Sequence, residues 1–165
     1  MKLFAWIKEL FTAIYRWFSR KFVNFRMTDN VYQQICSTIG ARPAESGGML
    51  GSSDGGKTID AYYFDVSSAN SSNTYTPDTN ALNRIIGEWN QRGIQFCGMI
   101  HSHPLGYAGP SLPDYEYADR ILTAMKLPRN LIYLPIVQVH DPAKHQITIH
   151  FYVRTDRQRK REDAA

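Results

Sequence analysis

The chain has 165 residues, 43% of them apolar and 13% aromatic, which suits one packed domain and excludes a disordered chain. Its formal net charge of +4 is uneven: residues 1–26 carry +5 and residues 154–165 carry +2, which leaves −3 on residues 27–153. An acidic body excludes a basic nucleic-acid surface, and two cysteines, Cys36 and Cys97, exclude a disulfide framework and a Cys-x-x-Cys zinc finger.

Residues 1–26 read as an amphipathic helix. Phe4, Ile7, Leu10, Phe11, Ile14, Phe18 and Phe22 form an apolar stripe at helical spacing, opposite Lys2, Glu9, Arg16 and Arg20. Lys8, Glu9 and Arg16 interrupt any apolar run, so the segment is neither a membrane span nor a signal-peptide core. Packing on the domain core or docking to a partner protein is expected. Attachment to a membrane surface through Trp6 and Trp17 ranks behind both. The two cysteines read as buried, reduced thiols of a cytoplasmic protein.

Thr28-Asp29 predicts the start of a helix to about Ile39, with Val31, Tyr32, Ile35 and Ile39 inward. Gly47–Gly51 reads as a glycine-rich strand, Asp54-Gly55-Gly56 as a turn, and Lys57–Val66 as a second strand. Ser67–Thr76 is polar and aperiodic, and a mobile loop is expected. Pro77-Asp78 opens a helix through Leu82, Ile85, Ile86 and Trp89 that Gly93 ends. Ile94–His101 is a buried strand. Ser111 to about Met125 is a helix, and Leu131–Val139 and Gln146–Val153 are strands. This order predicts an α/β fold, a mixed β-sheet covered by helices. The expected domain spans 27–153, between the N-terminal helix and a solvated, frayed basic tail at 154–165.

The densest chemistry lies at His101-Ser102-His103-Pro104, followed by Ser111 and Asp114. On a strand, residues i and i+2 point the same way, so both imidazoles face one point while Ser102 faces away. Pro104 cannot donate to a ladder and ends the strand. Two imidazoles and one carboxylate suffice as protein ligands for catalytic zinc, with a fourth position open. Ser111 and Asp114 also fit a plain helix start, in which Ser111 caps the Asp114 amide and the carboxylate suits the positive helix end. The adjoining histidine pair tips the reading toward metal binding. Zinc hydrolysis also needs a general base. By residue type Glu45, Glu88 and Glu116 all qualify. Glu45 precedes Gly47 and Gly48, where a bare backbone admits a neighbouring strand or a substrate.

Glu45-Ser-Gly-Gly-Met-Leu, then His-Ser-His-Pro and Ser-x-x-Asp, resembles the JAMM motif of the JAB/MPN metallopeptidase family. The His-x-His-x7-Ser-x2-Asp core is complete, and the element order over about 27–153 is similar to that family's domain, which shares its architecture with cytidine deaminases. Gly51 stands one position earlier than the glycine often found after this strand. The resemblance implies that His101, His103 and Asp114 bind Zn2+. It implies that Glu45 is general base toward the attacking water and then acid toward the leaving amine. It gives Ser111 a bond to the oxyanion or the water, in conflict with simple capping. The implied substrate is a ubiquitin-like protein or its conjugate, cut after the C-terminal glycine. The chain looks most like the bacterial stand-alone branch, whose members deconjugate or trim such proteins, in antiviral defence among other settings.

A substrate tail would then add as a strand beside Gly47–Gly51 or beside the strand before His101, with Ser67–Thr76 closing over it and Tyr75 and Tyr107 in contact. Two other readings stand beside this one: a non-catalytic scaffold of the same fold, and a hydrolase acting on a small sulfur-carrier protein adduct. A nucleobase deaminase needs His-x-Glu and Pro-Cys-x-x-Cys, and the chain has neither.

Overall fold

The computed structural model describes residues 24–42, 45–66, 69–71, 74–156 and 158. The expected N-terminal helix therefore falls outside the described residues for positions 1–23, and so does most of the basic tail. The described residues form helices α1 (Asp29–Ser37), α2 (Thr79–Gln91) and α3 (Leu112–Ala124). The strands are β1 (Gly47–Ser52), β2 (Ala61–Phe64), β3 (Ala69–Ser71), β4 (Thr74–Thr76), β5 (Gln95–His103), β6 (Leu131–Tyr133), β7 (Ile136–Asp141), β8 (Gln146–His150) and β9 (Val153–Thr155). None of the described helices is long and apolar enough to cross a membrane.

Seven strands make one mixed sheet in the order β2-β1-β5-β6-β9, with β7 pairing β5 and β8 pairing β7. The predicted mixed sheet flanked by helices is the fold observed. One face carries α1: Val31, Ile35 and Ile39 pack on Leu50, Cys97, Ile100, Tyr133 and Val137. The other carries α2 and α3: Leu82, Ile85, Trp89 and Ala118 pack on Met49, Phe96, Met99, Ile132 and Leu134. Thr28 caps α1 by accepting from the Val31 amide, as its sequence implies. Tyr32, expected inward, is 42% exposed, since the buried side of α1 is formed by Val31, Ile35 and Cys36. Cys36 and Cys97 are buried free thiols, and burial pushes the Cys97 thiol up to about 12.

Four local readings change. The predicted Asp54-Gly55-Gly56 turn is present but extends through Thr58, and the second strand starts at Ala61 instead of Lys57, because side chains take the amides that a ladder would need. Ser52 Oγ accepts from the Gly56 amide, and Asp54 Oδ1 accepts from Lys57 and Thr58. The predicted Leu131–Val139 strand breaks into β6 and β7 at Leu134-Pro135, where proline cannot donate. The polar stretch expected as a mobile loop contains the β3–β4 hairpin, with Asn70 opposite Tyr75. The tail boundary also moves. β9 runs to Thr155, and Arg154 is buried with two guanidinium bonds to Asp119 of α3, at 2.9 and 2.8 Å. Strand addition beside β1 is closed as well: β1 pairs β2 on one edge and β5 on the other, and β5 is flanked by β1, β6 and β7.

The register of β5 decides what its end presents. Leu50 lies opposite Gly98 but Gly51 lies opposite Phe96, so β5 holds one extra residue at this step. Strict alternation from Cys97, on the α1 face, would carry Met99, His101 and His103 to that face too. The bulge reverses the parity. Met99 packs on the α2–α3 side, and the histidines follow it.

Two measurements test this framework. Arg154→Met leaves the Asp119 carboxylate without its fork, and urea denaturation should show a loss of about 2 kcal/mol, below the range for a fully buried pair. Asp54 is held at about 2, below its usual 3.8, first by the Ser52 hydroxyl and then by the Thr58 amide. A carboxyl depressed by folding stabilises above its unfolded value and loses that effect as pH falls through its folded one. Asp54→Asn should therefore flatten the fall in stability between about pH 4 and pH 2, read from acid-unfolding curves.

Candidate active site

His101 and His103 stand on one face at the end of β5, both with little exposed side-chain surface. Their Nε2 atoms face each other at 2.8 Å. Asp114, in the first turn of α3, brings Oδ1 to 3.3 Å from His101 Nε2 and Oδ2 to 3.5 Å from His103 Nε2. One donor atom from each of the three lies within 4.8 Å of the others. Two facing imidazole nitrogens share at most one proton, so a cation at the meeting point satisfies all three groups together. Two imidazoles and one carboxylate are metal-binding donors, and the three residues together fit a metal ion.

The neighbours fix each donor. Ser111 caps α3: its Oγ accepts from the Asp114 amide at 3.4 Å, while its own amide and hydroxyl donate to Asp114 Oδ2 at 2.6 and 2.7 Å. The capping reading is thus realised, and it aims a ligand. Burial alone would raise the Asp114 carboxyl, but hydrogen bonds from His101 and His103 outweigh it and hold the group well below the usual carboxylate range. The same bond to Asp114 raises His103, against its burial, and the Tyr107 backbone and the Glu45 charge add to the rise. Beyond His103, Gln138 Nε2 donates to the Pro104 carbonyl at 3.4 Å and fixes the turn that follows.

Glu45 enters from the segment just before β1. Ser102, which faces away from the histidine pair, accepts from the Ser46 amide at 3.0 Å through its hydroxyl and donates its own amide to the Ser46 carbonyl at 2.9 Å. This seats the residue after Glu45 against β5. Glu45 Oε2 accepts from the Tyr75 amide of β4 at 2.9 Å. The Tyr75 ring stacks on His101, with centroids 5.9 Å apart and planes at 24°. Tyr75 Oη donates to Asp65 Oδ2 at 3.0 Å, and the Asp78 amide donates to the same oxygen at 2.9 Å.

A cavity of about 810 Å³ opens over the histidine pair, Asp114 and Glu45. It brings together all five sequence-predicted site residues: Glu45, His101, His103, Ser111 and Asp114. Tyr75 and Tyr107 line it too, whereas the rival acids Glu88 and Glu116 do not. Glu88 is instead paired with Arg84 one turn back on α2. Sequence reasoning missed Asp65, whose partners lie 10 and 13 residues away with no local pattern to mark them. It also missed Arg120 and Tyr117 on the cavity wall, whose guanidinium carbon and ring centroid are 5.4 Å apart. Their spacing of three on α3 was the available signal.

Residues 28–153 match the family described as prokaryotic homologs of the JAB domain. Among solved structures, that of protein DSY2949 from Desulfitobacterium hafniense is similar, with a TM-score of 0.60 at 18% identity over 81% of this chain and 86% of that one. AF2198, a JAB1/MPN domain protein from Archaeoglobus fulgidus, aligns with a TM-score of 0.43 at 16% identity over 76% of this chain and 88% of that one. No curated protein matches the chain. At 18% identity the likeness to DSY2949 concerns the fold alone. The family match spans most of the sequence and includes every residue of the cavity's His-His-Asp cluster: the chain belongs to the prokaryotic homologs of the JAB domain.

Proposed function

We propose that this protein is a zinc-dependent peptidase or isopeptidase of the JAMM type, which cuts after the C-terminus of a ubiquitin-like protein. The observation that carries the proposal is the convergence of His101, His103 and Asp114 with Glu45 in one cavity of a JAB-family domain. Zinc held by the three ligands supplies a Lewis acid that polarises the scissile carbonyl and makes water a better acid. Glu45 takes the proton of the attacking water and returns it to the leaving amine. The Tyr75 amide occupies one carboxylate oxygen of Glu45 and leaves the other for that transfer. Ser111 donates to the developing oxyanion. Its hydroxyl can turn away from Asp114 without freeing the ligand, since the Ser111 amide holds the same oxygen.

The cavity rim supports a protein substrate. Leu105, Tyr107 and Leu112 are 57, 70 and 71% exposed on the loop and first turn between His103 and Asp114. Exposed apolar side chains gathered beside a catalytic cleft suit a macromolecular surface. The substrate tail cannot join β1 or β5, so its path runs over the cavity wall formed by Tyr75, Thr76 and the 104–110 loop.

Elemental mass spectrometry of purified protein should find about one zinc per chain, and Asp114→Ala should lose it. Glu45→Gln should keep the zinc and lose about 10²- to 10⁴-fold in turnover of a ubiquitin-like fusion. Failure to hold zinc even after reconstitution would remove this function. Ser111→Ala should lower turnover by about 10²-fold and, through the lost cap, lower stability by about 1 kcal/mol in thermal unfolding.

A further inference from the structure

Tyr75 is the residue on which the two halves of the site meet. Its main chain holds the Glu45 carboxylate, and its ring lies against the His101 imidazole of the other half. Its hydroxyl is anchored outside the cavity, on Asp65, a fully buried carboxylate at the end of β2. Asp65 in turn accepts from the amide of Asp78, the residue that caps α2. One residue, through its main chain, ring and hydroxyl, is thereby tied to the segment before β1, to β5, and to the buried acid after β2 that also holds the cap of α2.

The fit of the ring depends on Gly47. A Cβ built there would lie 2.5 Å from Tyr75 Cε1 and 2.8 Å from the Ile100 carbonyl oxygen, so any larger residue would push the ring off His101. Stacking of an aromatic face on a ligating imidazole fixes the plane of that ring, and orienting partners of metal ligands commonly set affinity. Burial pushes the Tyr75 phenol upward, with the Asp65 charge adding to the effect, so the hydroxyl stays a donor at neutral pH.

We propose that Tyr75 is a positioning residue that holds His101 and Glu45 in mutual register, with Asp65 as its anchor. This rests on the reading of the site as a zinc peptidase. It differs from the expectation drawn from sequence, in which Tyr75 touches substrate. A substrate contact would act on binding of the peptide. A positioning residue acts on the metal and on the chemical step.

The test measures zinc affinity by competition with a chromophoric chelator, kcat and KM on a ubiquitin-like fusion, and thermal unfolding of each variant. Tyr75→Ala should weaken zinc by about tenfold or more and lower kcat to a similar extent, with KM unchanged. Tyr75→Phe keeps the ring and the main-chain bond but loses the Asp65 anchor, and should recover most of the zinc affinity while staying measurably below the wild type. If Tyr75→Ala does not fold, Tyr75→Leu replaces it, since it fills the space without a flat face, and the same losses are expected. Wild-type zinc affinity in the variant lacking the ring would overturn the proposal, and so would a defect confined to KM. The zinc comparison decides the role of Tyr75 even where the wild-type protein binds zinc and cleaves no fusion, a result that would count against the peptidase reading alone.

Discussion

The site depends on which face of β5 its last residues occupy. A strand offers two faces in strict alternation, so a single step of parity decides whether His101 and His103 meet Asp114 or point at α1. The extra residue beside Gly98 makes that choice. Gly98 itself sits where a Cβ would lie 2.2 Å from the Tyr133 carbonyl oxygen, so β6 can approach β5 only at a glycine. Farther along, β7 replaces β6 as the parallel neighbour and pairs with His101, Ser102 and His103 in turn. His101 is therefore paired on both edges, with Ile136 of β7 and Gly47 of β1, and Ser102 is bonded to the Ser46 carbonyl beside it, while His103 pairs with β7.

The electrostatics follow from how the acids are held. Glu45 and Asp114 both lean on main-chain amides, from Tyr75 and Ser111, and neither has a Lys or Arg ion-pair partner among the described residues. A backbone amide orients a carboxylate without neutralising it, whereas a fixed ammonium or guanidinium would compete with a metal ion for the same charge. The one carboxylate of α3 that does carry an arginine fork, Asp119, lies outside the cavity and serves the docking of β9. The division separates acids that secure the fold from acids left with charge to spend on chemistry.

What the sequence revealed was local. The histidine pair, the Ser111 cap, the Thr28 cap and the helices that follow Thr28, Asp78 and Ser111 each depend on residues a few positions apart, where periodicity and capping rules apply. What it hid was non-local or one residue wide. The bulge in β5 changes no residue type. The break at Pro135 lies inside a run that is apolar on both sides, so a single long strand and two short ones look alike until their partners are known. The β3–β4 hairpin is written in Ser, Asn and Thr, which carry no burial pattern. Arg154 looked like the first residue of a basic tail because its partner lies 35 residues earlier on α3.

The same distinction runs through the site itself. The metal half spans residues 101–114 and is assembled by one strand, one turn and one capped helix, so a short motif specifies it. Glu45, the proposed base, reaches that half by contacts of much longer range. Ser46 is joined to Ser102 across 56 residues, and Glu45 to Tyr75 across 30. A base on the body of β1 would be fixed by the sheet. Glu45 instead stands just before the strand, where Ser102 secures only its neighbour and the hairpin secures its carboxylate. The two histidines thus belong to the sheet and Asp114 to the capped helix beside it, while the position of Glu45 is set jointly by the sheet and by a two-stranded hairpin. Displacement of β4 would then release the Glu45 carboxylate and withdraw the Tyr75 ring from His101, which gives the hairpin a hold on both halves of the site.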